Sequence, residues 1–288
     1  MNVSETIMKG LRTLILAFVA IAMVSPVILS ISNSLTTGQE IGINYGVIGQ
    51  LDAGPDAFVN LKLIPDKVSL EQYAKVLTDT PQFLLMFWNS VLLVLPIIAG
   101  QVVIASLAAY AFAKLRFRGR DQLFLVYLLT MLMPFQVTLV PNYIIADKLG
   151  LTNSQAAIIL PGIFAAFGVF LMRQFMMHIP YAYIEAAKID GASQFRIFRT
   201  IVLPMVKPAL AALILLLFVD HWNMVEQPLI FLQDAVKQPL SVYLSRINEE
   251  ARGVAFAASV VYMAPMVLLF LYAEPYFIEG VQLSGVKG

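Results

Sequence analysis

Five stretches of this chain run without a charged residue, at 13–39, 80–113, 122–146, 149–172 and 253–273. A helix needs roughly 20 apolar residues to cross about 30 Å of hydrocarbon, so each stretch predicts a membrane-spanning helix. A sixth is shorter, with 12 uncharged residues between Lys207 and Asp220. The run Ala209 to Val219 is nevertheless apolar and helix-forming throughout. By itself it also fits a core helix of a soluble protein. Beside five spans it predicts a sixth, extending to about Met224, with Asp220 inside or at the edge of the membrane. The first span covers 13–32 and the last about 256–276. Pro26, Pro134 and Pro265 fall within spans, where each frees backbone carbonyls that neighbours or a wet cavity must satisfy.

The polar intervals predict the connections. Residues 33–82 form a long external segment in which Gly42 to Pro55, with Asp52, has the composition of an irregular loop. Ser69-Leu70-Glu71-Gln72 has the spacing of a capping box and predicts a short helix through Leu77. Lys114 to Arg120 is a tight basic turn suited to lipid headgroups. Asn153 or Ser154 can cap the fourth span, which ends at Arg173. Ala105, Ala109 and Ala113 recur every fourth residue, a small-residue stripe that fits packing against another subunit or within the chain.

Composition agrees with a chain that faces lipid. Of 288 residues 59% are hydrophobic and 13% charged, against about 25% charged in soluble domains. Lys and Arg set the orientation. Twelve fall in the terminal segments and in the intervals 114–120 and 173–207, whereas seven are spread over longer loops on the other side. Cytoplasmic loops carry the excess of positive charge, so both termini are expected inside, which requires an even number of spans. The first span has the flanks of a signal peptide but is too long for one and is expected to be retained. There is no cysteine, hence no disulfide framework or thiolate metal site.

The charged interval between spans four and five contains Glu185-Ala186-Ala187-Lys188-Ile189-Asp190-Gly191 and, nine residues after the glycine, Ile201-Val202-Leu203-Pro204. Pro180 can open a helix because the first turn does not need its missing N–H. Tyr181 to Asp190 then predicts a short helix, with Gly191 at the position that tolerates a left-handed backbone. Ser193 can cap a second helix with Phe195, Phe198 and Val202 on one face, and Leu203-Pro204 turns the chain into span five. Ala186 and Ala187 leave little side chain, so a partner surface can seat the helix in a cleft. Amphipathicity alone also fits an interfacial helix that merely anchors a loop.

The E-A-A-x3-G-x9-I-x-L-P spacing resembles the cytoplasmic loop of the membrane subunits of binding-protein-dependent ABC importers. Asn89-Ser90, Ala109-Tyr110-Ala111-Phe112-Ala113, Met133-Pro134, Asn142, Trp222-Asn223 and the ending Ser284-Gly285-Val286-Lys287-Gly288 extend the likeness to the carbohydrate branch. They are most similar to the second, six-span permease of maltose-type importers. The resemblance implies an all-α membrane protein of type I importer architecture with six transmembrane helices. Its parts would be a cytoplasmic N-terminus with the first helix (1–32), an external segment (33–82), a transmembrane core (83–278) with the coupling loop at 180–204, and a cytoplasmic tail (279–288). It also implies a second homologous permease, an ATPase dimer that carries ATP and Mg, an extracytoplasmic solute-binding protein and a multi-pass place in a prokaryotic inner membrane. ATPase coupling would fall to Glu185, Ala186, Ala187, Asp190, Gly191, Ala192, Phe195, Leu203 and Pro204. Two features depart from the pattern: the external segment is longer at 40–66, and His221 and Met224 flank Trp222-Asn223.

No phosphate-binding G-x4-G-K-[S/T] loop and no H-E-x-x-H occurs, and the two histidines, His178 and His221, fall on opposite sides of the predicted membrane. Neither a cofactor nor catalysis is therefore expected of this chain, and no nucleic-acid partner. Asp220, Trp222 and Asn223 interrupt the apolar fifth span. They fit a substrate pathway, where aromatic faces and polar groups suit sugar hydroxyls, or an interfacial anchor formed by Trp222. An ion-gradient-driven secondary transporter is the competing class. Such proteins place several ionisable groups at mid-membrane, and here Asp220 is the sole candidate.

Overall fold

The computed structural model describes residues 3–46, 58–246 and 252–285. The expected irregular stretch at 47–57, including Asp52, and the final Val286-Lys287-Gly288 lie outside the described residues. Among those described the chain is helical, its one β-bridge joining Thr36 and Val68. Among the described residues four helices are long and apolar enough to cross a membrane: Met8–Ser34, Pro81–Lys114, Ala156–Met177 and Arg252–Pro275. Two bent pairs, Arg120–Met131 with Phe135–Lys148 and Gln194–Met205 with Lys207–Trp222, raise the number to six if each counts as one span.

The chain divides into two compact units, residues 1–84 with 246–264 and residues 85–245 with 265–288. The first begins with α1 (Val3–Ser34), whose apolar surface is exposed along most of its length. Of the predicted irregular stretch, the described residues 42–45 are helical instead. Gly38–Tyr45 is a helix, α2, because the Thr37 hydroxyl takes up the amide of Glu40 and opens it. Asn33 donates to the Tyr45 hydroxyl at 2.8 Å, and Ser34 and Tyr73 share a hydrogen bond of 2.7 Å. Glu40 accepts the Asp66 amide and pairs with Lys62, which also pairs with Asp66. That hydrogen bond to Lys62 holds the Asp66 carboxyl below the ordinary carboxylate range, and in return the ammonium is raised. The predicted capping box does not form. The Ser69 hydroxyl accepts from Glu71, and α3 (Glu71–Ala74) continues as a π-helical turn through Asp79, two residues past Leu77.

The second unit is built on α4 (Pro81–Lys114) and its partners α7 (Ala156–Ile163) and α8 (Ala166–Met177). Close approaches pair Ile97 with Gly162, Gly100 with Ile163, Ala105 with Gly168 and Lys114 with Met177. Both numbers rise together, so α4 runs parallel to α7 and α8, as two spans separated by one return crossing must. A Cβ added to Gly168 would come within 3.0 Å of Ala105 Cβ, so the alanine stripe is used within the chain. Ala105, Ala109 and Ala113 are all buried. The break between α7 and α8 frees two carbonyls, and side chains of α4 and of residues 120–131 supply donors. Gln101 donates to Ala165 O at 3.3 Å, and Tyr127 to Phe164 O at 3.2 Å. Ser154 takes the amide of Ala156 at the start of α7, while Asn153 accepts from Asp234 instead.

The third span is not one helix. α5 (Arg120–Met131) and α6 (Phe135–Lys148) meet at 98°. Pro134 lacks an amide and disfavours a helical backbone at Met133, so the helix stops there. The 12 residues of α5 span only ~18 Å, short of a membrane crossing. The fifth span, α12 (Lys207–Trp222), ends two residues short of the expected Met224. The last helix, α15 (Arg252–Gly285), continues beyond Tyr276 into residues first assigned to the tail. Between these two lie α13 (Glu226–Phe231) and α14 (Leu240–Leu244).

Candidate functional site

The interval 178–206 folds as its local chemistry dictates. Pro180 ends the preceding turn and α9 (Tyr181–Ile189) follows. Gly191 has φ +76°, its amide donates to Lys188 O at 3.0 Å, and that of Ala192 donates to Ala187 O at 2.9 Å. These are the two bonds of a Schellman ending, which satisfies the last carbonyls of α9 and reverses the chain. Ser193 then accepts the Arg196 amide at 3.3 Å and opens α10 (Gln194–Ile197). α10 continues through the π-helical turn Phe198–Val202 into α11 (Leu203–Met205).

Two details differ from the sequence pattern. Leu203 and Pro204 lie inside α11, and the chain turns at Val206, where α12 leaves at 77° with Pro208 in its first turn. The buried face of the second helix is Ile197, Phe198 and Val202, whereas Phe195 is 64% exposed. Phe195 and Phe198 do lie side by side, with ring centroids 6.3 Å apart. Burial, however, centres on Ile197 and Val202, five residues apart as the π-helical turn spaces them, and Phe195 falls at the open edge.

On α9 the inward residues are Ile184 and Ala187, three apart, which turns Glu185, Ala186 and Ile189 outward. Asp190, Gly191 and Pro204 are also exposed, and Ala192 and Leu203 are half-buried. Ile189, at 87% exposure, was not among the residues singled out in the sequence. Nothing in the sequence pattern marks it, because only the burial of Ile184 and Ala187 places 189 on the far side of a 3.6-residue helix. Tyr110 and Lys114 of α4, which hold the loop from behind, are likewise unmarked.

The three residues of the fifth span separate in space. Asp220 and Asn223 line a cleft of about 570 Å³ with Phe135, His221, Glu226 and Gln227. Trp222 does not. It is 2% exposed, stacked on Phe218 at 5.0 Å and edge-on to Phe87 at 5.7 Å. Within this chain it packs inward at the end of α12 and does not line the cleft. The Asn223 amide donates to Val219 O at 2.7 Å, and the Asp220 side chain is 81% exposed.

Asn89 and Ser90 of α4 hold the loop 236–240, which leads to this region. Asn89 donates to Val236 O at 2.7 Å and to Gln238 O at 3.2 Å, and the Ser90 hydroxyl accepts the Leu240 amide at 2.9 Å. Ser241 donates to the carbonyl of Met224, another cleft residue, at 2.6 Å. Among the described residues no three His, Asp or Glu side chains form a group suited to a metal.

Residues 81–276 match the model of the family described as binding-protein-dependent transport system inner membrane component. The chain is 30% identical to the arabinooligosaccharides transport system permease protein AraQ of Halalkalibacterium halodurans over 288 residues, covering 99% of each. It is 34% identical to the sn-glycerol-3-phosphate transport system permease protein UgpE of Pectobacterium atrosepticum over 207 residues, 70% of this chain and 74% of that one. The lactose transport system permease protein LacG of Rhizobium radiobacter is 32% identical over 206 residues, covering 70% and 75%. Among solved structures, a chain of a bacterial ABC transporter involved in the import of the acidic polysaccharide alginate superposes with a TM-score of 0.80. It is 25% identical, and the match covers 96% of this chain and 99% of that one.

Proposed function

The chain belongs to the family of binding-protein-dependent transport system inner membrane components, and on that premise we propose that it carries a neutral saccharide as one of two permeases in an ATP-driven importer. It is a multi-pass membrane subunit and not itself the ATPase. Family membership also sets aside the ion-gradient alternative. The observation that carries the reading is the α9 turn: an E-A-A helix ended by a left-handed glycine, with Glu185, Ala186 and Ile189 facing out. The exposed apolar side chain of Ile189 beside a carboxylate suits a protein partner, since a charged hydrogen bond adds specificity to apolar burial. We assign that face to an ATPase subunit on the cytoplasmic side, with both termini on the same side, as the distribution of Lys and Arg supports.

The lining of the cleft supports the substrate class. Its lining offers the carboxylates of Asp220 and Glu226 and the amides of Asn223 and Gln227, with no Lys or Arg among the described residues that form it. Such a wall accepts hydroxyl donors and repels anions, which favours the neutral sugars carried by the AraQ and LacG relatives over phosphorylated or acidic ones. The test is uptake into proteoliposomes that contain this permease with its partner permease, ATPase and solute-binding protein. ATP-dependent uptake of a neutral oligosaccharide is expected. Uptake driven by an ion gradient without ATP would overturn the importer reading, and a preference for a uronic or phosphorylated ligand would overturn the substrate class.

A further inference from the structure

Lys114 is the last residue of α4 and is 4% exposed, yet its hydrogen-bond partners are carbonyls. Its ammonium donates to Ile179 O at 2.6 Å and to Met177 O at 3.4 Å, just past the end of α8. Those carbonyls have no helical amide to accept from, and they sit at the negative end of the α8 dipole. The same ammonium lies 4.6 Å over the ring of Tyr181, the first residue of α9. Tyr181 answers by donating to Ala113 O at 3.2 Å. One turn back on the same face of α4, Tyr110 donates to Gln194 Oε1 at 2.8 Å, and its ring meets Phe198 at 5.3 Å. The inner end of α4 therefore grips both helices of the loop, α9 through Tyr181 and α10 through Gln194.

The other end of α4 touches the cleft region through Phe87 against Trp222 and through Asn89 and Ser90 on the loop 236–240. From Asn89 to Lys114 the helix rises ~38 Å. We propose that Lys114 and Tyr110 are positioning residues that clasp the loop to α4, making this helix the rod that carries ATPase motion to the cleft wall. A secondary element packed at both ends can carry such coupling, and α4 stays one helix from Pro81 to Lys114 with Pro96 inside it. A bare loop between α8 and α12 would absorb the displacement instead. The proposal rests on the ATPase-docking reading above.

The experiment uses the complete reconstituted complex and compares ATP hydrolysis with and without the loaded binding protein, normalised to assembled complex. Lys114→Met keeps the apolar stem and removes the ammonium. It is expected to lower the stimulation ratio and uptake by about ten-fold, with Lys114→Arg restoring most of both because a guanidinium also donates to carbonyls. A merely structural role would instead reduce the amount of complex and leave the ratio alone. An unchanged ratio, or a loss that Arg does not restore, overturns the clasp. Should Lys114→Met not assemble, Tyr110→Phe decides: it keeps the ring on Phe198 and removes one neutral hydrogen bond, so a drop of about three-fold is expected. An unchanged ratio there overturns the clasp equally. Gly191→Val in the same assay separates the two ideas. If it uncouples hydrolysis while Lys114→Met does not, the clasp falls and the docking reading stands. If it leaves stimulation intact, the docking reading itself falls.

Discussion

The loop around α9 and the cleft around Asp220 lie in one unit of the same chain, yet they are built by opposite means. The loop is assembled from neighbours in sequence: Pro180 starts a helix, Gly191 stops it, and Ser193 starts the next. The cleft gathers Phe135 with residues 219–227, and its surroundings depend on Asn89 and Ser90, some 130 positions or more earlier in the chain. A surface that must fit a partner as a rigid shape gains from local determination, because each turn is fixed by backbone chemistry that packing elsewhere cannot shift. A cavity made from distant elements can change shape if those elements shift, which a locally fixed turn cannot do.

The largest effect expected from breaking this contrast is at Gly191. Gly191→Val forces a β-branched residue to φ +76°, at a cost of about 1–3 kcal/mol or loss of the Schellman turn. Uptake should fall at least about 100-fold as α9 loses its aim, while the chain still inserts. ATP hydrolysis and uptake measured on assembled complex would check it. Trp222→Ala comes next and should act on stability: emptying a buried indole site costs about 3–5 kcal/mol. The amount of complex recovered in detergent should drop sharply, whereas Trp222→Phe should recover most of it. A large uptake defect in Trp222→Phe at normal recovery would instead make the ring a pathway residue.

The cleft carboxylate sharpens the comparison further. Asp220→Asn and Asn223→Ala should each lower uptake by about three- to ten-fold with normal assembly, since each removes one polar contact. Unchanged uptake in both would remove them from the pathway. The smallest effect is expected in the external segment, where Asp66 is fully exposed. Its depressed carboxyl contributes stability that is present above the ordinary carboxylate pKa and is lost only as pH falls through the depressed value. The raised Lys62 contributes below the ordinary lysine pKa and loses it as pH rises through the raised one. Limited proteolysis of residues 58–70 should therefore be unchanged between about pH 5 and pH 9, and uptake of Asp66→Asn should match the unaltered protein.

Much of the membrane architecture was legible before any coordinates. The intervals without charge marked the spans, and the α9 helix ended within one residue of its predicted bound, because a glycine after a polar helix is a local signal. The readings that failed turned on choices that the residue pattern leaves open, most of them settled within a few residues. Gly42 to Tyr45 had loop composition, but α2 formed because Thr37 caps it and Asn33 holds Tyr45. Phe195 sits beside Phe198 as the spacing predicts, but at the open edge of the buried face. Ser69 sat in a capping pattern, but its hydroxyl went to Glu71.

By itself the sequence determined what depends on solvent and on the chain within a few residues. Those are the segments that must leave water, the residues at which a helix can start or stop, and the surface that carries Glu185 and Gly191. Only the tertiary structure decided how sharply the third span breaks at Pro134, which way the alanine stripe faces, that Trp222 is buried, and that Lys114 ends on the carbonyls of Met177 and Ile179. A proline says that a hydrogen bond is missing but not which neighbour replaces it. Likewise, a buried cation must find oxygen atoms, yet only the packing of α4 on α8 decides which oxygen atoms lie within reach.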